Sequence, residues 1–172
     1  PGYAGRARVG DLVAIDVIQG MACGTCAWCS AGQPFHCTIR QSTPSSGGGF
    51  AEGIKRRPAG FYPLPSNLTP RHGALAEPLA VGMQAVNQSE AEPGDKVAVI
   101  GCGPIGLMAL ATLADRGVDD VVAIDLSRAR LELAKEVGAA HVLDPTEDDV
   151  WEELARIHGT TPFMFGPTPA TD

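Results

Sequence analysis

The chain has 172 residues, 44% hydrophobic and 19% charged, the composition of a folded globular protein rather than a disordered one. A net charge of −7 argues against a nucleic-acid partner, because phosphate binding needs clustered cations, and the basic run Lys55-Arg56-Arg57 is short enough to be a solvated loop. No stretch of about 18 apolar residues occurs, so no membrane-spanning helix is expected, and 21 glycines with 14 prolines imply many turns without low complexity.

The sequence opens on Pro1 rather than methionine, and Pro167-Thr168-Pro169-Ala170-Thr171-Asp172 shows no closing element, so truncation at both ends is expected. Asp11 to Ile18 alternates, with Val13, Ile15 and Val17 on one face, and reads as a half-buried strand. Cys23 to Cys37 has no helical period and reads as a loop that needs an external tie. Ser45 to Gly49 reads as a turn, followed by Phe50-Ala51-Glu52 and a Pro-rich stretch to Pro65. Ala74 to Val86 is helical in composition, broken early by Pro78, and Glu92-Pro93-Gly94-Asp95 is a turn.

From Lys96 onward strands and helices alternate. Val97–Ile100 is a short apolar run of the kind buried on both sides in a parallel sheet. Pro104 to Arg116 has helical spacing and stops at Gly117. Val121–Ile124 is a second strand, Ser127–Val137 a second helix ended by Gly138, and His141–Leu143 a third strand. Thr146 with Asp149 resembles a capping box opening a third helix through Ile157. The series is βαβαβ, half of the roughly six strands of a doubly wound nucleotide domain.

Four of the five cysteines follow the spacing Cys23-x2-Cys26-x2-Cys29-x7-Cys37. Four thiolates surround Zn²⁺ tetrahedrally at about 2.3 Å, and short spacers let one loop wrap the ion. Gly24 and Gly32 supply tight bends within it. Four protein ligands fill the zinc shell, so the predicted metal is structural and not catalytic. A redox pair, an iron–sulfur cluster and a set of unconnected thiols are the competing readings. His36 beside Cys37 reads as a surface or packing residue.

Gly101-Cys102-Gly103-Pro104-Ile105-Gly106 is a GxGxxG element that follows a predicted strand and opens a predicted helix, with Asp125 nineteen residues beyond Gly106. Gly101 permits the tight turn, Gly103 lets a pyrophosphate approach the backbone, and Gly106 allows close helix–strand packing. The helix N-terminus offers its N–H groups to the phosphates. Asp125 is expected to accept hydrogen bonds from the adenosine ribose and to disfavour a 2′-phosphate, which points to NAD over NADP. Arg128 and Arg130 weigh the other way, since a nearby arginine accommodates that phosphate. Cys102 reads as a small buried filler.

With both features together the chain resembles the zinc-containing medium-chain dehydrogenase family, in its sorbitol and threonine dehydrogenase branch. Gly10-Asp11-Leu12-Val13 resembles the GD-x-V turn before the zinc lobe, Gly49-Phe50-Ala51-Glu52 the GGFAE strand, and Ala76-Glu77-Pro78-Leu79-Ala80-Val81 the EPLAV helix start. Gly103-Pro104-Ile105-Gly106 and Asp125-Leu126-Ser127-x2-Arg130-Leu131 match the branch's cofactor motifs. The resemblance implies an α/β chain: residues 1–82 as part of a GroES-like domain with a structural zinc lobe, and 83–172 as the first half of a Rossmann sheet. It implies hydride transfer between an alcohol or polyol and NAD, with a catalytic zinc acting as Lewis acid. Glu77 lies where the branch places a carboxylate beside that zinc, as ligand or substrate contact; by itself it reads more readily as an acidic residue favoured near a helix start. Ile105 would pack near the nicotinamide half and Arg130 would face the ribose beside Asp125. Pro104 belongs to the same cofactor motif. The family is usually dimeric or tetrameric, and a cytoplasmic homo-oligomer is expected.

One departure is severe. Catalytic zinc needs about three protein ligands, the family supplies a cysteine and a His-Glu pair, and no His-Glu pair occurs here. His36, His72, His141 and His158 do not fit that role. The chain alone is therefore expected not to turn over substrate. A standalone zinc- and dinucleotide-binding module is the alternative reading. A quinone-type reductase on the same fold is a third, opposed by the four cysteines and Glu77.

Overall fold

A computed structural model describes residues 7–16, 21–39, 49–54, 60–163 and 166–170, which divide into two compact units, Pro1–Ala76 and Glu77–Asp172. Val17, Ile18, residues 45–48 of the predicted turn, Lys55-Arg56-Arg57, Thr171 and Asp172 lie outside the described residues.

In the first unit, β1 (Val13–Ile15) is the described part of the alternating segment. The cysteine segment contains one helical turn, α1 (Ala27–Ser30), and a 3₁₀ turn at Pro34–His36. Sequence periodicity indicates only loop there, because a single turn is too short to show a repeat. β2 (Phe61–Pro63) pairs antiparallel with β1 in the register Val13↔Pro63, Ala14↔Tyr62, Ile15↔Phe61. It falls in the stretch that reads as Pro-rich coil. Pro63 is tolerated because it ends the strand, where a missing N–H removes at most one ladder bond. Gly49–Glu52 forms bends rather than the strand its motif implies, and Phe50 is exposed. α2 (Pro70–Gly73) follows, its Thr69 N–H donating to His72 Nδ1 at 3.1 Å. Among the described hydrophobic residues of this unit only Ala22 and Cys37 are buried.

The second unit carries a conventional core. α3 (Ala76–Ser89) includes Pro78 without a break, because first-turn N–H groups have no intrahelical acceptor to lose. β3 (Val97–Ile100), β4 (Val121–Ile124) and β5 (His141–Leu143) form a parallel sheet in the order β3-β4-β5, with Val97 opposite Val121 and Val122 opposite His141. α4 (Pro104–Asp115) and α5 (Arg128–Val137) make the crossovers, ending at Gly117 and Gly138 with φ of +77° and +129°. The central strand sorts its side chains by the period of two. Val121 and Ala123 join a core with Leu110, Leu113 and Leu131, while Val122 and Ile124 join Leu143 and Leu154 on the other face. All four residues of β4 are buried, whereas β3 is only half-buried. β3 does pack on both faces, Val97 and Val99 on the first core and Ala98 on the second, but its side chains are only partly buried and Ile100 is exposed, because it is an edge strand among the described residues.

α6 (Val150–His158) is capped by Asp149, whose Oδ1 accepts from the Trp151 and Glu152 N–H groups at 3.1 and 3.0 Å. Thr146 does not cap it; its hydroxyl and N–H both donate to Asp144 Oδ1, at 2.7 and 2.9 Å. The buried His158 places Nε2 3.2 Å from Asp120 Oδ1, and Lys96 Nζ donates to the His158 carbonyl at 2.6 Å. An unanticipated antiparallel hairpin, β6 (Thr160–Phe163) with β7 (Gly166–Pro169), follows.

α3 and α4 meet at Gly82, where an added Cβ would sit 2.7 Å from both the Ala109 nitrogen and the Met108 carbonyl carbon. Backbone cannot swing aside as a side chain can. Gly82→Ala is expected to lower the stability of this unit by about 1–3 kcal/mol despite the better helix propensity of alanine. Chemical denaturation followed through the helix signal checks it, and an unchanged midpoint would show that the two helices separate freely.

Candidate metal and dinucleotide sites

The Sγ atoms of Cys23, Cys26, Cys29 and Cys37 all lie within 4.8 Å of one another, with Cys23 and Cys29 sulfurs 3.9 Å apart. Tetrahedral zinc with bonds of about 2.3 Å requires sulfur–sulfur separations of about 3.8 Å, so this donor set fits the ion with small adjustments. None of the four is in a disulfide. The backbone aims donors at them: the N–H groups of Thr25 and Cys26 reach Cys23 Sγ at 3.4 and 3.2 Å, and the Cys23 N–H reaches Cys37 Sγ at 3.4 Å. Those bonds from Thr25 and Cys26 draw the Cys23 thiol down to about 6, and the Cys29 N–H lowers Cys26 as well. Desolvation pushes Cys29 up to about 11, the cost a cation would remove. Gly24 and Gly32 take φ of +79° and +77°, the bends that let one loop bring four sulfurs together. His36 is no part of the cluster. It packs against Trp28 and Phe35, with ring centroids 5.2 and 5.7 Å away.

In the second unit the glycine loop joins β3 to α4. Gly101 turns with φ +94° while its N–H donates to the Ile124 carbonyl at 2.7 Å. A Cβ on Gly106 would lie 1.8 Å from the Gly101 carbonyl oxygen, so the loop closes only on glycine there. Gly103 has nothing within 4 Å of its added Cβ and serves as N-cap of α4 without a side-chain cap. Pro104 takes the first helical position, where its missing N–H costs nothing, and Ile105 is half-exposed beside it.

Asp125, at the end of β4, is tied back to this loop. Its Oδ2 accepts from the Cys102 N–H at 2.7 Å and its Oδ1 from the Ser127 N–H at 2.8 Å. The Ser127 and Cys102 donors hold its carboxyl below the usual range, and the Arg130 charge, 3.8 Å from Oδ2, adds to the effect. Cys102 itself is fully buried, as its position implies. A cavity of about 460 Å³ opens here, lined by residues that include Gly101, Asp125, Leu126, Arg130 and Pro145. The structure thus brings Gly101, Asp125 and Arg130 together. Two participants were not legible in the sequence: the Cys102 N–H, a backbone group no motif marks, and Pro145, contributed from beyond β5.

Glu77 is exposed in the first turn of α3. Among the described residues the cysteines form the one group of three or more metal-ligating side chains drawn together, and neither Glu77 nor any histidine joins another.

The profile of a zinc-binding dehydrogenase family matches residues 104–164. Sorbitol dehydrogenase of Bacillus subtilis is 37% identical over 152 residues, covering 87% of this chain and 42% of its own length. An alcohol dehydrogenase of Escherichia coli CFT073, solved with NADH, superposes with a TM-score of 0.72 at 28% identity, covering 86% of this chain and 44% of its own. A zinc-binding dehydrogenase of Sinorhizobium meliloti 1021, solved with NADP, gives 0.74 at 31% identity over 91% and 44%. The chain spans about two fifths of the length of the curated sorbitol dehydrogenase it matches. The four-sulfur cluster ahead of a parallel βαβ sheet, together with these matches, makes the chain similar to zinc-binding dehydrogenases of the medium-chain type, the sorbitol dehydrogenase-like ones among them.

Proposed function

We propose that the chain is the structural-zinc and adenosine-binding portion of an NAD-dependent alcohol or polyol dehydrogenase. The observation that carries this is the convergence of Gly101, Asp125 and Arg130 on one cavity at the carboxyl ends of parallel strands, the position where open α/β sheets bind ligands. Residues 1–82 are read as part of a GroES-like domain and 83–172 as half of a Rossmann domain. Cys23, Cys26, Cys29 and Cys37 hold one zinc ion that organises their loop and leaves no position for substrate. A cytoplasmic setting keeps such thiols reduced and available.

Gly103 admits the pyrophosphate to the start of α4, and the unspent N–H groups there offset its charge. Gly106 and Pro104 fix the helix entry, and Ile105 packs near the nicotinamide half. Asp125 accepts from the adenosine ribose and repels a 2′-phosphate, while Arg130 stabilises that carboxylate in its ionised form. When bound, NAD supplies the hydride acceptor for an alcohol carbon. Glu77 is assigned to the substrate side of the site, beside a catalytic zinc that these residues alone do not hold. The functional enzyme is read as a homodimer or homotetramer.

The 172-residue chain is accordingly expected to bind NADH and to lack turnover. Enhancement of NADH fluorescence, saturating at about one ligand per chain, checks the first half. Assays with sorbitol and 2,3-butanediol in the presence of zinc check the second. Zinc-dependent oxidation by the purified chain would overturn the assignment of the catalytic metal, and a folded chain that ignores NADH would overturn the cofactor assignment.

A further inference from the structure

The two arginines that could favour a 2′-phosphate are in different situations. Arg130 lines the cavity and faces Asp125, with NH1 3.8 Å from Oδ2. Arg128 does not line it. Its NH2 instead donates to both carboxylate oxygens of Glu147, at 3.1 and 3.0 Å. Glu147 reaches it from the turn between β5 and α6, nineteen residues away in sequence. That turn is itself pinned: the Glu147 N–H donates to the Asp144 carbonyl at 2.9 Å, and the Asp144 N–H to Asp148 Oδ2 at 2.8 Å. The neighbouring Pro145 forms part of the cavity wall, so Arg128 sits one residue past a lining residue, Ser127, but points its charge to the acidic turn.

We infer that Glu147 is a specificity-determining residue for the dinucleotide, holding Arg128 away from the ribose 2′ position so that Asp125, with Arg130 beside its carboxylate, sets the preference for an unphosphorylated ribose. The inference rests on the dinucleotide reading above. Its physical content is simple. A guanidinium already paired with a carboxylate offers a phosphate little net charge, and releasing it would present a cation with the fork geometry that phosphate oxygens favour. Both partners are largely exposed, at 76% and 62%, so the pair contributes little to folding and the substitution leaves the domain intact.

The test uses adenosine 5′-monophosphate and adenosine 2′,5′-bisphosphate as probes of the adenosine end, titrated calorimetrically into the full chain at low ionic strength. The wild type is expected to favour the monophosphate. Glu147→Gln is expected to shift the affinity ratio toward the bisphosphate by about fivefold, the scale of an exposed ion pair. Adding Arg128→Met is expected to restore the wild-type ratio. A ratio that Glu147→Gln leaves unmoved, or a shift that survives the loss of Arg128, overturns the inference while monophosphate binding preserves the dinucleotide reading. A wild-type chain that binds neither probe overturns both.

Discussion

Removing zinc is expected to unfold the first unit while the parallel sheet of the second survives. The reason is the imbalance between what that unit orders and what it buries. Among its described hydrophobic residues Ala22 and Cys37 are buried, and its sheet is a two-stranded ladder of three residue pairs. An isolated two-stranded sheet is marginal in water, and a core of that size does not offset the entropy of fixing a loop from Cys23 to Cys37. Structural zinc supplies on the order of 10–16 kcal/mol of apparent binding free energy in small peptides near neutral pH, enough to reverse the balance. Without it, thiolates held within 4.8 Å of each other repel, or must be protonated at the cost of their backbone N–H donors.

Metal analysis of the purified chain is expected to return about one zinc, with no visible charge-transfer absorption of an iron–sulfur cluster. Cys37→Ser, which replaces the buried ligand, is expected to weaken zinc binding by more than about 100-fold, since even outer-shell changes cost 10–100-fold. The two tryptophans separate the consequences. Trp28 lies in the helical turn between Cys26 and Cys29, and Trp151 opens α6 in the second unit. In a Trp151→Phe background, chelation should release Trp28 from its ring contact with His36 and change its emission, while the far-ultraviolet helix signal of α3 to α6 persists. Retention of native Trp28 emission after complete metal removal would sink the idea that zinc holds this unit together.

How far the sequence revealed this arrangement depended on the range of the interactions involved. Val97–Ile100 and Val121–Ile124 are short β-branched runs bounded by Gly101 and by Asp125, so their signals are local, and the structure places strands at the same residues. Phe61–Pro63 becomes a strand only because Val13–Ile15, far back in the chain, presents an edge to it, and no window around Pro63 contains that information. Thr146 and Asp149 both carry oxygen acceptors ahead of α6; which one caps is decided by Asp144, which captures the Thr146 hydroxyl. The cysteine cluster was legible because zinc ligation by one loop imposes a regular spacing. The engagement of Asp125 with the Cys102 N–H was not, because it joins two strand ends that only the parallel register brings level.

The glycine loop offers the second large effect, and it separates folding from binding. Gly106→Ala is expected to disrupt the second unit, because its Cβ would meet the Gly101 carbonyl oxygen at 1.8 Å, and that oxygen is backbone in a turn held by the Gly101–Ile124 hydrogen bond. Relief requires α4 to move away from β3, opening the core around Leu110 and Leu113, so a loss of about 3 kcal/mol or more is expected, at the upper end of overpacking. Gly103→Ala is the matched control. Its φ of −71° is open to any residue and its Cβ meets nothing within 4 Å, so the melting temperature should stay close to wild type. That same open space is where a pyrophosphate must approach the start of α4, and a methyl group there keeps phosphate oxygens from the N–H donors. NADH affinity in Gly103→Ala should therefore fall about tenfold or more, the scale of a lost charge-assisted hydrogen bond, with stability preserved. Parallel thermal melts and NADH titrations of the two variants decide the matter. If Gly103→Ala binds NADH as tightly as wild type, the phosphates do not pass over this loop, and the cavity beside Asp125 must serve some other ligand.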